Sequence, residues 1–415
     1  MTPWLCGRGH GPCGPLTAAA TRCRYIKDRS ASFPPPVTMP TNIKYLDEYE
    51  DKHNYRAIQV PDTKTLEFEP LKQAPSDDAY CRVHLVKNSD LTMGLSLFLR
   101  TSDTDAQITL PVYTFVLEHV GNGRRVAFDL GLKPKLEDFS PFTQNIIKDV
   151  PITWPRATMP EIFADHGVDA KTIEAVILSH VHFDHIGDIS QFPTSTKLIV
   201  GPNTGKAALP GYPSYADSSV LDSDLPFGGE REVEELSDKS PWVRCGAFPE
   251  AIDYFGDGSL YILNAYGHMV GHIAALVRTS TKPDTYMLLA GDSAHVRGLY
   301  SCCGGCAHPS FRAGLYPAAN GLSPQEQKRG GLLAIHYDLP AAYLNMARMG
   351  RMEEEDNVCV ILAHDLEWKK IIDREQGGED WEWVEVGDWK KKDRKTTVKK
   401  ELVYKPQEVK DADGI

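Results

Sequence analysis

From about residue 80 the apolar residues of this chain come in short blocks, not in helical stripes. Val83-His84-Leu85-Val86, Val112-Tyr113-Thr114-Phe115-Val116-Leu117 and Arg125-Val126-Ala127-Phe128-Asp129 are rich in β-branched and aromatic residues and predict strands. Gly121-Asn122-Gly123 separates the last two. Asn and Gly tolerate the positive φ of a tight hairpin. Similar blocks predict strands at 175–178, 197–200, 260–263, 273–278, 286–290 and 358–362. Helices are expected at 134–148, 160–166 and 340–352. Hairpins at the front thus give way to strands mixed with helices. That order suggests an α+β protein with two packed sheets and helices outside.

Two stretches break the pattern. Residues 201–258 are rich in Gly, Pro, Ser and Asp, yet carry aromatics such as Tyr212, Phe227 and Trp242. Residues 297–330 hold Cys302-Cys303-Gly304-Gly305-Cys306. Both read as long loop insertions, of the kind that carry function or disorder. The expected organisation is an N-terminal extension over 1–40, an arm over 41–80, one domain over 81–370 and a C-terminal extension over 371–415. The basic run at 390–400 reads as a solvated tail.

Composition narrows the class. The 415 residues are 41% hydrophobic and 25% charged, as in a soluble globular protein. No apolar run reaches the ~20 residues of a membrane span. A net charge of −12 without a basic stripe argues against a nucleic-acid partner. Nine cysteines without a disulfide framework suit a reduced, cytoplasmic setting. Arg8, Arg22, Arg24 and Arg29, with Asp28 as the only acid before Met39, have the bias of a mitochondrial presequence. Pro34-Pro35-Pro36 makes poor material for the amphipathic helix such a signal needs, so a disordered extension is the expectation.

The chemistry concentrates in Ser179-His180-Val181-His182-Phe183-Asp184-His185-Ile186-Gly187-Asp188, directly after the apolar block at 175–178. Residues i and i+2 of an extended chain point to one side, so His180 and His182 can grip one ion. Asp184 and His185, on the turn that follows, can face a second point nearby. Imidazole with carboxylate suits zinc, and also iron, manganese or cobalt. Further candidates stand where other strands end. These are Asp129, His268 and His272 in Gly267-His268-Met269-Val270-Gly271-His272, Asp292 and His364. Catalytic groups collect at such ends, because the sheet fixes them while loops admit substrate. His272 reads equally as a ligand or as a support behind the site. His295 follows Asp292 by three residues. Cys303 and Cys306 have metal-site spacing with Cys302 and His308 near, but no second such pair accompanies them, so loop cysteines without metal are expected.

These motifs, in this order over roughly residues 110–365, resemble those of the metallo-β-lactamase superfamily: HxHxDH, a later His in a GHxxGH context, a GD pair and a final His. The resemblance implies a four-layer αββα sandwich with metals at one edge. One ion would take His180, His182 and His268, and the other Asp184, His185 and His364. Asp292 would bridge them, with Asp129 orienting the site from behind. It also implies two Zn2+ per chain, with Mn, Co or Fe as substitutes, sharing a hydroxide that attacks a carbonyl. Asp184 would take up the proton. His295, where lactonase relatives often carry a tyrosine, would bind the carbonyl or protonate the leaving group, or serve a structural role instead. The function implied is hydrolysis of a lactone or lactam ring in a small molecule, in secondary metabolism or detoxification. One alternative is a thioesterase releasing acyl or polyketide chains from a carrier protein. Another is an iron-dependent sulfur dioxygenase. A non-catalytic binding protein on this scaffold would tend to lack ligands, and none is missing.

Overall fold

The computed structural model describes residues 61–99, 106–300, 315–317, 332–378 and 381–400. Its strands are β1 (Cys81–Gly94), β2 (Gln107–His119), β3 (Arg125–Phe128), β4 (Ile152–Thr153), β5 (Ile173–Ile177), β6 (Lys197–Val200), β7 (Val233–Glu235) and β8 (Val243–Cys245). They continue as β9 (Phe248–Asp253), β10 (Leu260–Asn264), β11 (Ile273–Thr281), β12 (Asp284–Leu289), β13 (Leu315–Pro317), β14 (Leu332–Ala334), β15 (Val358–Ile361) and β16 (Trp383–Glu385). One sheet runs in the order β16-β1-β2-β3-β5-β6-β7, with β4 also on β1. The other runs β15-β12-β11-β10-β9-β8. β13 and β14 pair separately.

Period-2 alternation divides the side chains between cores. In β10, Leu260 and Ile262 join the core between the sheets, where they meet Phe115, Val126 and Ile177 of the first sheet. Tyr261 and Leu263 join the opposite core, against Ala342, Tyr343, Met346 and Met349 of the helix Leu339–Glu354. The far face of the first sheet, with Val116, Ala127, Val176 and Leu198, packs on Ile162 and Phe163 of the helix Met159–Asp165. Each buried Val, Leu, Ile, Phe or Met among them stabilises the fold by roughly 1.5–3 kcal/mol. The layers are therefore helix, sheet, sheet, helix, as expected.

Local chemistry sets the helix starts. Thr158 and Glu161 form a capping box, with Thr158 N donating to Glu161 Oε2 at 2.9 Å. Asp338 Oδ1 accepts from Ala341 N at 3.0 Å ahead of the helix that begins Leu339-Pro340. The helix expected over 134–148 is interrupted. A 3-10 turn at Leu136–Asp138 is followed by a new helix, Pro141–Ile147, because Ser140 caps it by accepting from Thr143 N at 3.2 Å.

Three expectations need correction. Residues 201–258 are not without pattern: they contain the helix Thr204–Ala208 and β7, β8 and β9, which lie in the two main sheets. The fold also does not end at residue 370. β16 pairs with β1, and Trp381, Val384, Val386, Trp389 and Val398 enter the core beside Trp368. Nor is the basic run a solvated tail. Lys390, Lys395 and Lys399 donate through Nζ to the carbonyls of Asp356, Glu355 and Glu353, at the end of the helix Leu339–Glu354. Carbonyls left open at a helix C-terminus attract cations. The arm is tied down as well, since Lys72 O accepts from Arg278 Nη2 at 2.8 Å and Tyr286 Oη at 2.6 Å.

The proposed extension over 1–40, residues 401–415, and Cys302, Cys303, Cys306 and His308 lie outside the described residues. Among the described residues, no helix is long and apolar enough to cross a membrane.

Candidate metal centre

The site forms where β3, β5, β10, β12 and β15 run out at one edge of the sandwich. Asp129, just past β3, has φ +61° and accepts from Ser179 N at 2.6 Å and Ser179 Oγ at 2.8 Å. This carboxylate also lies 2.9 Å from His185 Nδ1. It therefore ties the end of β5 to the turn that carries His185. Past β10, Gly267 lets the chain run close under a helix: a Cβ there would lie 2.4 Å from Ala342 N. His268 and His272 follow. Past β12, Gly291 (φ +54°) introduces Asp292, and past β15 comes His364.

These side chains converge in two groups. The donor atoms of His180, His182, His268 and Asp292 lie within 4.8 Å of one another, as do those of Asp184, His185 and His364. His182 Nδ1 is 2.9 Å from His180 Nε2 and 3.0 Å from His268 Nε2. Asp292 stands between the groups. Its Oδ2 is 3.6 Å from His180 Nε2 and 3.3 Å from His268 Nε2. Its Oδ1 is 3.3 Å from His185 Nε2 and 3.2 Å from His364 Nε2. Asp184 Oδ2 lies 3.4 Å from His364 Nε2 and 3.9 Å from His185 Nε2.

A divalent cation fits this donor set. Three imidazole nitrogens at such spacing repel unless a proton or a cation lies among them. His185 Nε2 and Asp292 Oδ1 are buried and have no hydrogen-bond partner among the described residues. Leaving such atoms unsatisfied costs about 1–3 kcal/mol each, which coordination would remove. Burial, helped by the neighbouring imidazoles, holds His180 well below the usual histidine value, and burial does the same to His268. Both are therefore neutral, as ligands must be. Burial also opposes charge on His185 and His364, but Asp292 and Asp184 outweigh it and raise both. Burial likewise opposes the Asp292 carboxylate, and His185, His295 and His364 overcome it and hold the group well below its usual range.

His272 belongs behind the site. Its Nδ1 donates to Ala265 O at 2.9 Å, and its Nε2 accepts from Asp292 N at 3.0 Å. Burial pushes its pKa down to about 4, which keeps Nε2 an acceptor. His295 does reach the site. Its Nε2 is 3.0 Å from Asp292 Oδ2, and its ring stacks on His364 with centroids 5.6 Å apart. The structure adds His336, which sequence reasoning missed; its ring lies 5.3 Å from that of His268 and 5.7 Å from that of His295. A signal for it existed. Leu332-Leu333-Ala334-Ile335-His336 repeats the apolar block closed by histidine that marks His364.

Residues 112–277 match the Metallo-beta-lactamase superfamily. The chain is 35% identical over 281 residues to metallo-hydrolase mfmC of Annulohypoxylon moriforme, covering 63% of this chain and 72% of that protein. It is 38% identical over 190 residues to gamma-lactamase FDB1 of Fusarium pseudograminearum (strain CS3096), covering 44% of this chain and 45% of that one. It is also 36% identical over 295 residues to cytochrome P450 monooxygenase mpaDE of Penicillium roqueforti (strain FM164), covering 69% of this chain. The chain spans 32% of the length of that relative. The match across most of mfmC, joined to the two-sheet sandwich with its strand-end histidines, shows that this chain belongs to the metallo-β-lactamase superfamily.

Proposed function

We propose that the chain is a metal-dependent hydrolase that opens a lactone or lactam ring in a small molecule, using two zinc ions. His180, His182 and His268 would hold one ion and Asp184, His185 and His364 the other, with Asp292 standing between the two groups. The observation that carries this reading is the division of Asp292, whose Oδ2 faces His180 and His268 while its Oδ1 faces His185 and His364. When bound, such ions bring the pKa of water down to about 7 and polarise a carbonyl oxygen.

The chain's own groups orient the site and move the protons. Asp129, Ser179 and the carbonyl of Pro111 hold His185, His180 and His364 by their outer nitrogens. Water adds to the carbonyl carbon, and the C–O bond of a lactone or the C–N bond of a lactam breaks. Asp184 takes the proton that the attacking water gives up. His295, through Nε2, supplies a proton to the leaving oxygen or nitrogen. The same attack would serve a thioester, but likeness to a gamma-lactamase puts lactams first.

The test is a panel of γ-lactams, γ-lactones and acyl thioesters offered to the zinc-loaded chain. Ring opening is expected, and Asp292→Ala should lose about a thousandfold, some 4 kcal/mol of transition-state stabilisation. Undiminished turnover in Asp292→Ala would sink the reading.

A further inference from the structure

Each inward-facing imidazole of the site needs something to hold its opposite nitrogen. Such outer partners fix the tautomer of a ligand and aim its lone pair. His185 Nδ1 has Asp129 Oδ2 at 2.9 Å, and His364 Nδ1 has Pro111 O at 2.7 Å. His180 Nδ1 has Ser179 Oγ at 3.0 Å. His268 is different. Its Nε2 faces His182 and Asp292, and its Nδ1 meets another imidazole, Nδ1 of His336, at 3.4 Å.

We infer that His336 is a positioning residue for His268, accepting the proton of His268 Nδ1 and so fixing the bare lone pair of His268 Nε2 toward an ion. This rests on His268 being an ion ligand, as proposed above. The tautomers then follow. If His268 Nε2 is bare, its proton sits on Nδ1 and is donated to His336 Nδ1. The proton of His336 must then sit on Nε2, and that buried nitrogen has no hydrogen-bond partner among the described residues. His336 is fully buried, so an apolar ring of the same size would fill the space without this unsatisfied donor. What an apolar ring lacks is the acceptor that His268 needs.

The test is zinc binding by the full metal-stripped chain, titrated against a chromophoric chelator, for wild type, His336→Phe and His336→Gln. Phenylalanine fills the space without an acceptor, whereas glutamine restores an acceptor oxygen. His336→Phe should weaken one of the two zinc equivalents about 10–100-fold and spare the other. The melting temperature of its metal-free form should match that of wild type. His336→Gln should recover most of the lost affinity. Wild-type affinity at both equivalents in His336→Phe overturns the inference. So does weakening of both equivalents with a lower metal-free melting temperature, because His336 would then be a packing residue. A wild-type chain that takes up no zinc overturns the ligand reading itself, and this inference falls with it.

Discussion

On one side of Asp292 stand His180 and His268, and on the other His185 and His364. All four imidazoles are buried, yet their proton affinities are displaced in opposite directions. The first pair shares its space with His182, and among the described residues the only carboxylate close to it is that of Asp292. Desolvation wins there. The second pair has Asp292 Oδ1 and Asp184 in front, and His185 has Asp129 behind it as well. Carboxylates win there. One half thus offers a cation neutral nitrogens, and the other offers nitrogens backed by negative charge. The outer partners divide similarly, with Asp129 behind one half and neutral His336 behind the other.

The contrast can be broken one half at a time. His182→Ala and His364→Ala should each leave about one ion per chain and cost at least about a hundredfold in turnover, since each removes part of the charge stabilisation of the transition state. Metal analysis beside steady-state kinetics reads both effects. Loss of both ions from either variant would mean that the halves are one cooperative unit. Asp129→Asn should act more gently, and more on the side of His185, which it touches, than on that of His180, which it reaches only through Ser179. It keeps the shape but removes the charge behind His185, so the zinc of that half should bind about 10–100-fold more weakly. Chelator competition measures this, and equal weakening of both ions would contradict the division.

Much of this half-and-half site was legible in the sequence, because its core is local. His180, His182, Asp184 and His185 sit within six residues just past a strand end, and the i, i+2 spacing of the first two already suggested that they share a side. Asp129, His268, Asp292 and His364 could be placed because each closes an apolar block. The layered fold followed from the same blocks. What escaped notice depends on contacts distant in sequence. β7, β8 and β16 are three residues each, too short to show alternation. The lysines at 390–399 look like a solvated tail until they reach the end of the helix that began far earlier, at Leu339. His336 carries no motif beyond its apolar approach, and only the fold brings it to His268.

Metal content tests the central claim most directly. The chain should be purified without chelator and analysed by plasma mass spectrometry against its protein concentration. About two zinc ions per chain are predicted, one for each side of Asp292. A single ion, or none after reconstitution with zinc, would contradict the account.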